Sequence, residues 1–161
     1  LAEPRVVVFD EFHFGKFVNG YFTGEYIFDI HPPLGKLLVY SFARLTSYSP
    51  SFDFVTLGQP YGLTNHVALR IPAAFFGTLA VPASYAASRA LYLNRVAAAV
   101  VAATVLFDTV LAVHSRLLLL DAQMACFSWL ALAAAGLLWR ELASEGFLEA
   151  RRSYGAGAAA P

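Results

Sequence analysis

The sequence contains little charge and almost no cysteine. Asp, Glu, Lys and Arg make up only 14% of the 161 residues, whereas a soluble globular domain carries roughly 25%. Acids and bases balance to a formal net charge of zero, and no cluster of Lys or Arg forms a basic patch. This argues against nucleic acid as a partner. The single cysteine, Cys126, excludes an internal disulfide.

Hydrophobic residues fill 58% of the chain, which is the composition of a membrane-embedded protein. Residues 1–66 hold ten of the twenty-two charged residues, residues 67–139 hold six, and the remainder hold six. We therefore expect a polar, aromatic-rich front segment at 1–66, a membrane body at 67–139 and a polar tail at 140–161. The chain has no initiator Met and no signal peptide, so we interpret it as part of a longer protein.

The body divides into three stretches at 67–93, 94–114 and 117–139. Each has about the 20 residues needed to cross about 30 Å of hydrocarbon as a helix. A buried helical bundle in a soluble protein is the alternative, but three consecutive stretches of this length favour the membrane. In the front segment, PPLGKLLVYSFARL predicts a helix lying in the membrane interface.

Basic residues predict the orientation of these spans. Arg89 and Arg95 flank the loop between the first two spans, and Arg140, Arg151 and Arg152 lie in the tail. The positive-inside rule places this loop and the tail in the cytosol. The front segment and the turn after the second span then share the opposite face, which is the lumen in a eukaryotic cell.

This topology brings nine ionisable residues to one membrane face, with few on the other. They are Asp10, Glu11, His13, Asp29, His31, Arg70, His114, Arg116 and Asp121. Such a concentration beside hydrocarbon predicts a functional site.

Asp10 and Glu11 are adjacent, so on a strand or loop their side chains point apart and can take different roles. Mutual repulsion and partial burial raise a carboxyl pKa, which suits a general base, although a solvated acidic turn has the same sequence. Arg70 lies in the first turn of the first span, where an arginine either extends to the interface or clamps a phosphate.

Asp108 lies well inside the second predicted span, where a carboxylate is functional or paired. Arg116 follows eight residues later, about 12 Å along a helix, so a direct pair with Asp108 is not expected. Pairing of Asp121 with Arg116 across the turn, and a functional role for both, remain equally open.

Three blocks resemble protein O-mannosyltransferases. PRVVVFDEFHFGKFVNGYFTGEYIFDIHPPLGKLL resembles the first lumenal loop of that family, and LRIPAAFFGTLAVP resembles its second transmembrane helix. FDTVLAVHSRLLLLDAQM is similar to the family segment in which an acid is followed by Ser-Arg and a leucine-rich run that ends in Asp. The blocks occur in the family's order and cover most of residues 4–125.

The resemblance implies an all-α polytopic membrane protein with a partial C-type glycosyltransferase (GT-C) fold in the endoplasmic reticulum membrane. It implies transfer of mannose from dolichyl phosphate mannose to Ser or Thr hydroxyls of acceptor polypeptides, with inversion at the anomeric carbon. It also implies contact with membrane lipids and a homo- or heterodimer with a family member, without cofactor or metal ion. The family's first helix, later helices and lumenal β-trefoil domain are missing here, so we expect the isolated chain to be inactive.

The resemblance also implies roles for residues. Asp10 would be the general base, Glu11 would orient the acceptor or tune Asp10, and Arg70 would hold the phosphate. The other substrate-binding candidates are His13, His31 in the His-Pro-Pro motif, Arg116 and Asp121. Phe12 stands where Val is common in the family, and VNGYFTG replaces a run of smaller residues, so the subfamily stays open.

Three alternatives remain. The first is another polyprenyl-phosphate-sugar glycosyltransferase of the same fold. The second is a transporter that uses Asp108, although clustering of the ionisable groups at one face argues against it. The third is a catalytically silent partner subunit, against which the intact Asp-Glu pair, Arg70 and His-Pro-Pro motif argue.

Overall fold

The computed structural model describes the backbone of residues 1–157 and the side chains of residues 1–146. Helices dominate this part of the chain, and its only β-pairing is an isolated antiparallel bridge between Val6 and Pro60. The helices are α1 (Glu11–Thr23), α2 (Leu34–Arg44), α3 (His66–Ala90), α4 (Arg95–Leu106), α5 (Thr109–His114) and α6 (Asp121–Gly157).

Among the described residues, two helices are long and apolar enough to cross a membrane, namely His66–Ala90 and Asp121–Gly146. The first, α3, begins where Asn65 accepts a hydrogen bond from the Ala68 amide at 3.4 Å, which is a typical N-cap. Pro72 and Pro82 lie inside α3 without ending it, as transmembrane helices tolerate. This helix corresponds to the first predicted span.

The second predicted span is two helices rather than one. α4 ends at Leu106, and at 12 residues it is shorter than the about 20 needed to cross a bilayer. Asp108 then starts α5, because its Oδ1 accepts a hydrogen bond from the Leu111 amide at 2.6 Å. Asp108 is exposed and caps a helix end, so the expectation of a carboxylate inside a continuous span is wrong.

The third predicted span begins later and continues further than expected. Leu117–Leu120 precede the helix, which starts at Asp121 and runs for 37 residues to Gly157. The predicted tail at 140–161 is thus helical as far as residue 157, and residues 158–161 lie outside the described part.

Small residues allow α3 and α6 to pack closely along their length. Gly77 of α3 contacts Ser115 and approaches Ala122, at the start of α6. At the C-terminal end of α3, Ala90 packs against Gly136 of α6, where an added Cβ would lie 2.9 Å from the Ala90 Cβ. Because both contacts advance in the same direction along the two helices, α3 and α6 run parallel. Their N-terminal ends therefore lie at one end of the bundle, with close packing typical of small residues in membrane helices.

The front segment forms a layer over the N-terminal ends of α3 and α6. Its core is rich in aromatic residues, and it includes the leucines that precede α6. The fully buried members include Val7, Val18, Val39, Phe54, Tyr61, Leu118 and Leu119. This layer holds the candidate site residues 10–36 against the start of the two long helices.

Candidate active site

A buried ion pair between Glu11 and Arg70 lies at the centre of the site. Both side chains are 0% exposed, although they are 59 residues apart in the sequence. The Arg70 Nε donates to Glu11 Oε1 at 2.7 Å and Nη2 donates to Oε2 at 2.9 Å. This is the two-bond geometry in which arginine and carboxylate fit best.

Three further hydrogen-bond donors contact the Glu11 carboxylate. Oε1 accepts from the Leu118 amide at 2.9 Å, while Oε2 accepts from the Val8 amide at 2.9 Å and from the Tyr61 hydroxyl at 3.2 Å. A buried charge is costly unless its lone pairs are satisfied, and here they are. Glu11 therefore joins α1, α3 and the segment before α6.

The N–H donors of the Arg70 guanidinium are likewise all hydrogen-bonded. Its Nη1 donates to the backbone carbonyls of Leu1 and Pro4 at 3.0 and 2.8 Å, and Nη2 also donates to the Val6 carbonyl at 3.4 Å. Together with the two bonds to Glu11, these use all five N–H donors of the guanidinium. Arg70 thus has no donor left for a ligand in this arrangement.

Asp10 is the counterpart of Glu11 at the surface. It precedes the first turn of α1, and its partly exposed carboxylate has no hydrogen bond or ion pair with any described residue. The preceding residue, Phe9, has φ +50°, a left-handed conformation that non-glycine residues adopt only where the surroundings enforce it. This turn directs Glu11 into the core and leaves Asp10 outside.

Tyr61 and His66 belong to the same network, although neither was among the predicted site residues. Their rings stack with centroids 4.6 Å apart at 12°. Burial, and next the negative charge of Glu11, raise the pKa of Tyr61, so its hydroxyl stays protonated and donates to Glu11. Both residues lie at the end of the front segment at 1–66, outside the blocks that carry the family resemblance. Its density of aromatic residues was the one available signal.

The His-Pro-Pro motif stands beside a second buried contact. The Asp29 carboxylate, 8% exposed, pairs with Lys36 Nζ and lies 3.0 Å from His31 Nδ1. Burial alone would raise the pKa of Asp29, but the hydrogen bonds from Lys36 and His31 outweigh it and lower the pKa to about 2. Asp29 and Lys36 therefore fix the loop that presents the exposed His31.

Asp121 does not pair with Arg116, contrary to one of the two interpretations above. Its Oδ2 lies 3.5 Å from His114 Nδ1, because the last turn of α5 faces the first turn of α6. The chain then turns to bury Leu117 and Leu118, which leaves Arg116 exposed and without an ion pair to any described side chain.

Arg116 lines a groove of about 470 Å³ at the edge of the front layer. The other lining residues are Glu3, Pro4, Val8, Val113 and Leu117. The groove is mostly apolar, with a guanidinium at its wall.

The nine residues predicted to share one face thus form three separate pairs and three unpaired groups. The pairs are Glu11 with Arg70, Asp29 with His31, and His114 with Asp121. The groups without a charged partner in the described part are Asp10, Arg116 and His13, an exposed residue whose ring packs edge-on against Phe12 at 4.8 Å.

Known proteins are similar to this chain in sequence and in fold. The family model described as "Dolichyl-phosphate-mannose-protein mannosyltransferase" matches residues 1–154. Dolichyl-phosphate-mannose–protein mannosyltransferase 6 of Candida albicans is 37% identical over 122 residues, which are 76% of this chain and 15% of that protein. Dolichyl-phosphate-mannose–protein mannosyltransferase 4 of Saccharomyces cerevisiae is 37% identical over 121 residues, which are 74% of this chain and 16% of that protein.

A solved structure matches as well. It is the Saccharomyces cerevisiae protein O-mannosyltransferase Pmt1-Pmt2 complex bound to the sugar donor, with a TM-score of 0.77 and 34% identity. The match covers 84% of this chain and 19% of that chain, so the sequence spans about a fifth of it or less. These matches confirm the all-α membrane protein with a partial GT-C fold. The chain belongs to the dolichyl-phosphate-mannose–protein mannosyltransferase family.

Proposed function

We propose that the full-length protein containing this chain transfers mannose from dolichyl phosphate mannose to Ser or Thr hydroxyls of polypeptides. The names of its relatives support this donor and this reaction, and the matching complex is described as bound to the sugar donor. The observation that carries the proposal in this chain is the unpaired Asp10 carboxylate, held at the surface by the saturated Glu11–Arg70 pair.

In this mechanism Asp10 is the general base. It removes the proton from the acceptor hydroxyl as the oxygen attacks the anomeric carbon, and dolichyl phosphate leaves from the opposite face of the sugar with the bonding electron pair. A single displacement of this kind inverts the anomeric centre. An acceptor can approach Asp10, since its carboxylate is partly exposed and has no competing donor in the described chain.

Glu11 has a different task, because its two oxygens already accept five hydrogen bonds from protein groups. We propose that Glu11 positions Asp10 by fixing the start of α1. Of the two roles that the resemblance implied for Glu11, tuning Asp10 is compatible with this burial.

For the donor phosphate, we propose Arg116 in place of Arg70. The resemblance assigned the phosphate to Arg70, but its five donors are engaged with protein oxygens. Arg116 is exposed beside an apolar groove, which suits the phosphate of a lipid-linked sugar. A guanidinium there would stabilise the charge that develops as dolichyl phosphate leaves.

We propose that the remaining candidate residues lie close to the bound substrates. His13 is exposed one turn after Asp10, and its amide donates to the Asp10 carbonyl at 2.9 Å, so it is placed near an acceptor bound there. The contact with Asp29 holds His31 near the N-terminal end of α2. We propose that Asp121 acts through His114 and does not contact the substrate itself.

We further propose that residues 1–66 form a lumenal catalytic layer with α2 in the interface, that residues 67–139 lie in the endoplasmic reticulum membrane, and that the tail at 140–161 is cytosolic. The bundle end opposite the site carries Arg89 and Arg140, and Arg140 Nη1 donates to the Arg89 carbonyl at 3.2 Å. The positive-inside rule associates such basic residues with the cytosolic end of a membrane protein. The Pmt1-Pmt2 complex supports a dimer with a family member.

The proposal is tested with the full-length protein in microsomes, alone and together with a family partner. Mannose transfer from dolichyl phosphate mannose to a Ser/Thr peptide is measured, and the anomeric configuration of the product is compared with that of the donor. We expect an inverted mannosyl peptide. Absence of transfer in every combination, with the protein inserted and folded, contradicts the assignment.

The phosphate role is tested by Arg116→Ala, with Arg44→Ala as a control at another exposed arginine. We expect Arg116→Ala to raise the KM for the donor and to leave the unfolding temperature unchanged. An unchanged donor KM for Arg116→Ala would contradict this role and show that another cation binds the donor phosphate.

A further inference from the structure

The segment between α1 and α2 exposes large apolar side chains in alternation. Tyr26, Phe28 and Ile30 are 91%, 78% and 85% exposed, and Leu34 at the start of α2 continues the row. We call these four residues the apolar strip. Large apolar groups in adjacent, outward positions are unfavourable in water and usually mark an interaction surface.

The outward direction of the strip is fixed from the inner side. Ile27, between two strip residues, packs directly against Gly20 of α1, which has no side chain to oppose it. Asp29, between the next two, is buried against Lys36 of α2. Exposure alternates along residues 26–30, so the inward contacts of residues 27 and 29 leave the strip on the outer side.

The strip lies beside the point where a membrane-spanning helix begins. Its last residue, Leu34, precedes Gly35, where a Cβ would meet Gln123 Oε1 at 2.9 Å and the Leu120 side chain at 3.1 Å. Leu120 directly precedes α6, and Gln123 lies in its first turn. The start of α2 is therefore level with the N-terminal end of a helix long and apolar enough to cross the bilayer.

We propose that the apolar strip inserts into the interfacial region of the phospholipid bilayer. Its outward side chains are aromatic or aliphatic, and tyrosine is favoured at the membrane boundary, where one end of the ring is apolar and the other is wet. Its continuity with the start of α6 favours lipid over a protein partner as the occupant. The inference depends on the membrane character of the chain and not on the proposed activity.

The test uses spin labels in the full-length protein, with Cys126 replaced by Ala and any other accessible cysteines removed, in phosphatidylcholine vesicles. Single labels are placed by Phe28→Cys and Ile30→Cys, with Glu25→Cys and Thr23→Cys as exposed controls nearby in the chain. Collision rates with oxygen, which partitions into lipid, and with a water-soluble nickel chelate are measured by power saturation. Circular dichroism checks that each variant retains its helix content.

We expect oxygen collisions to exceed nickel collisions at positions 28 and 30, and the reverse at positions 23 and 25. Nickel collisions at 28 and 30 equal to those at the controls would show a strip that faces water and would overturn the proposal. Low collision rates with both reagents would show that protein covers the strip. This result would also overturn the proposal and would make another part of the full-length chain the occupant.

Discussion

At the scale of residues, two adjacent carboxylates of the site lie in opposite environments. Glu11 is buried and accepts hydrogen bonds from a guanidinium, two amides and a hydroxyl. Asp10 is partly exposed and unpaired within the described chain. The left-handed turn at Phe9 separates their directions within one residue. We therefore propose that the stability of the layer depends on Glu11 and that the reactivity of the site depends on Asp10.

We expect Arg70→Ala to destabilise the protein strongly, because it leaves the Glu11 carboxylate buried without its charged partner. Breaking one partner of a buried pair costs about 3–5 kcal/mol. The thermal unfolding temperature of the detergent-solubilised full-length protein checks this, with Arg116→Ala as the control. An Arg70→Ala variant as stable as Arg116→Ala would contradict the structural role of the pair.

The contact of Asp29 with Lys36 predicts a dependence of stability on pH. The pKa of Asp29 is lowered from 3.8 to about 2 on folding, so the contact contributes fully above pH 3.8 and is lost as pH falls through 2. Water beside this surface loop limits the contribution to less than about 2 kcal/mol. Asp29→Asn should lower the unfolding temperature at pH 5 more than at pH 2.5. An equal decrease at both values would contradict this contribution.

At the scale of elements, the break between α4 and α5 depends on one side chain. Asp108 caps α5 through the Leu111 amide, and loss of an N-cap costs about 1 kcal/mol. We expect Asp108→Ala to accelerate hydrogen exchange at the first amides of α5, measured by mass spectrometry, whereas Asp108→Asn retains the cap. Equal exchange in all three proteins would show that the break has another cause.

The close approach of α3 to the segment after α5 predicts a steric effect at Gly77. A Cβ there would collide with the Ser115 side chain, whereas a Cβ at Gly146 would meet no described residue within 4 Å. We expect Gly77→Val to destabilise the full-length protein by about 1–3 kcal/mol through overpacking. Gly146→Val should have a far smaller effect on the unfolding temperature, and equal effects would contradict the packing described here.

At the scale of the whole molecule, hydropathy predicted the long apolar helices but not the pairing of side chains. The long apolar stretches that became α3 and α6 are visible in the sequence, as is the Pro-Pro start of α2. The break at residues 107–108 is not, because the apolar pattern continues through it and a single side chain-to-backbone hydrogen bond decides it.

Long-range partners were equally hidden from the sequence. Glu11 and Arg70 are 59 residues apart, and Glu11 and the Leu118 amide are 107 apart, so no local spacing connects them. Tyr61, which no sequence motif identified, belongs to the site through its hydrogen bond to Glu11. The family resemblance selected Asp10, Glu11 and Arg70, but only tertiary packing shows which of them have all their hydrogen bonds made by protein groups.

The most direct measurement of the central claim compares Asp10→Asn with Glu11→Gln in the full-length protein, by mannose transfer per folded molecule and by unfolding temperature. We expect Asp10→Asn to keep the unfolding temperature of the wild type and to lose transfer by about 10²-fold or more, the usual contribution of a positioned general base. Glu11→Gln should instead lower the unfolding temperature. Near-wild-type transfer by a folded Asp10→Asn protein would contradict the account.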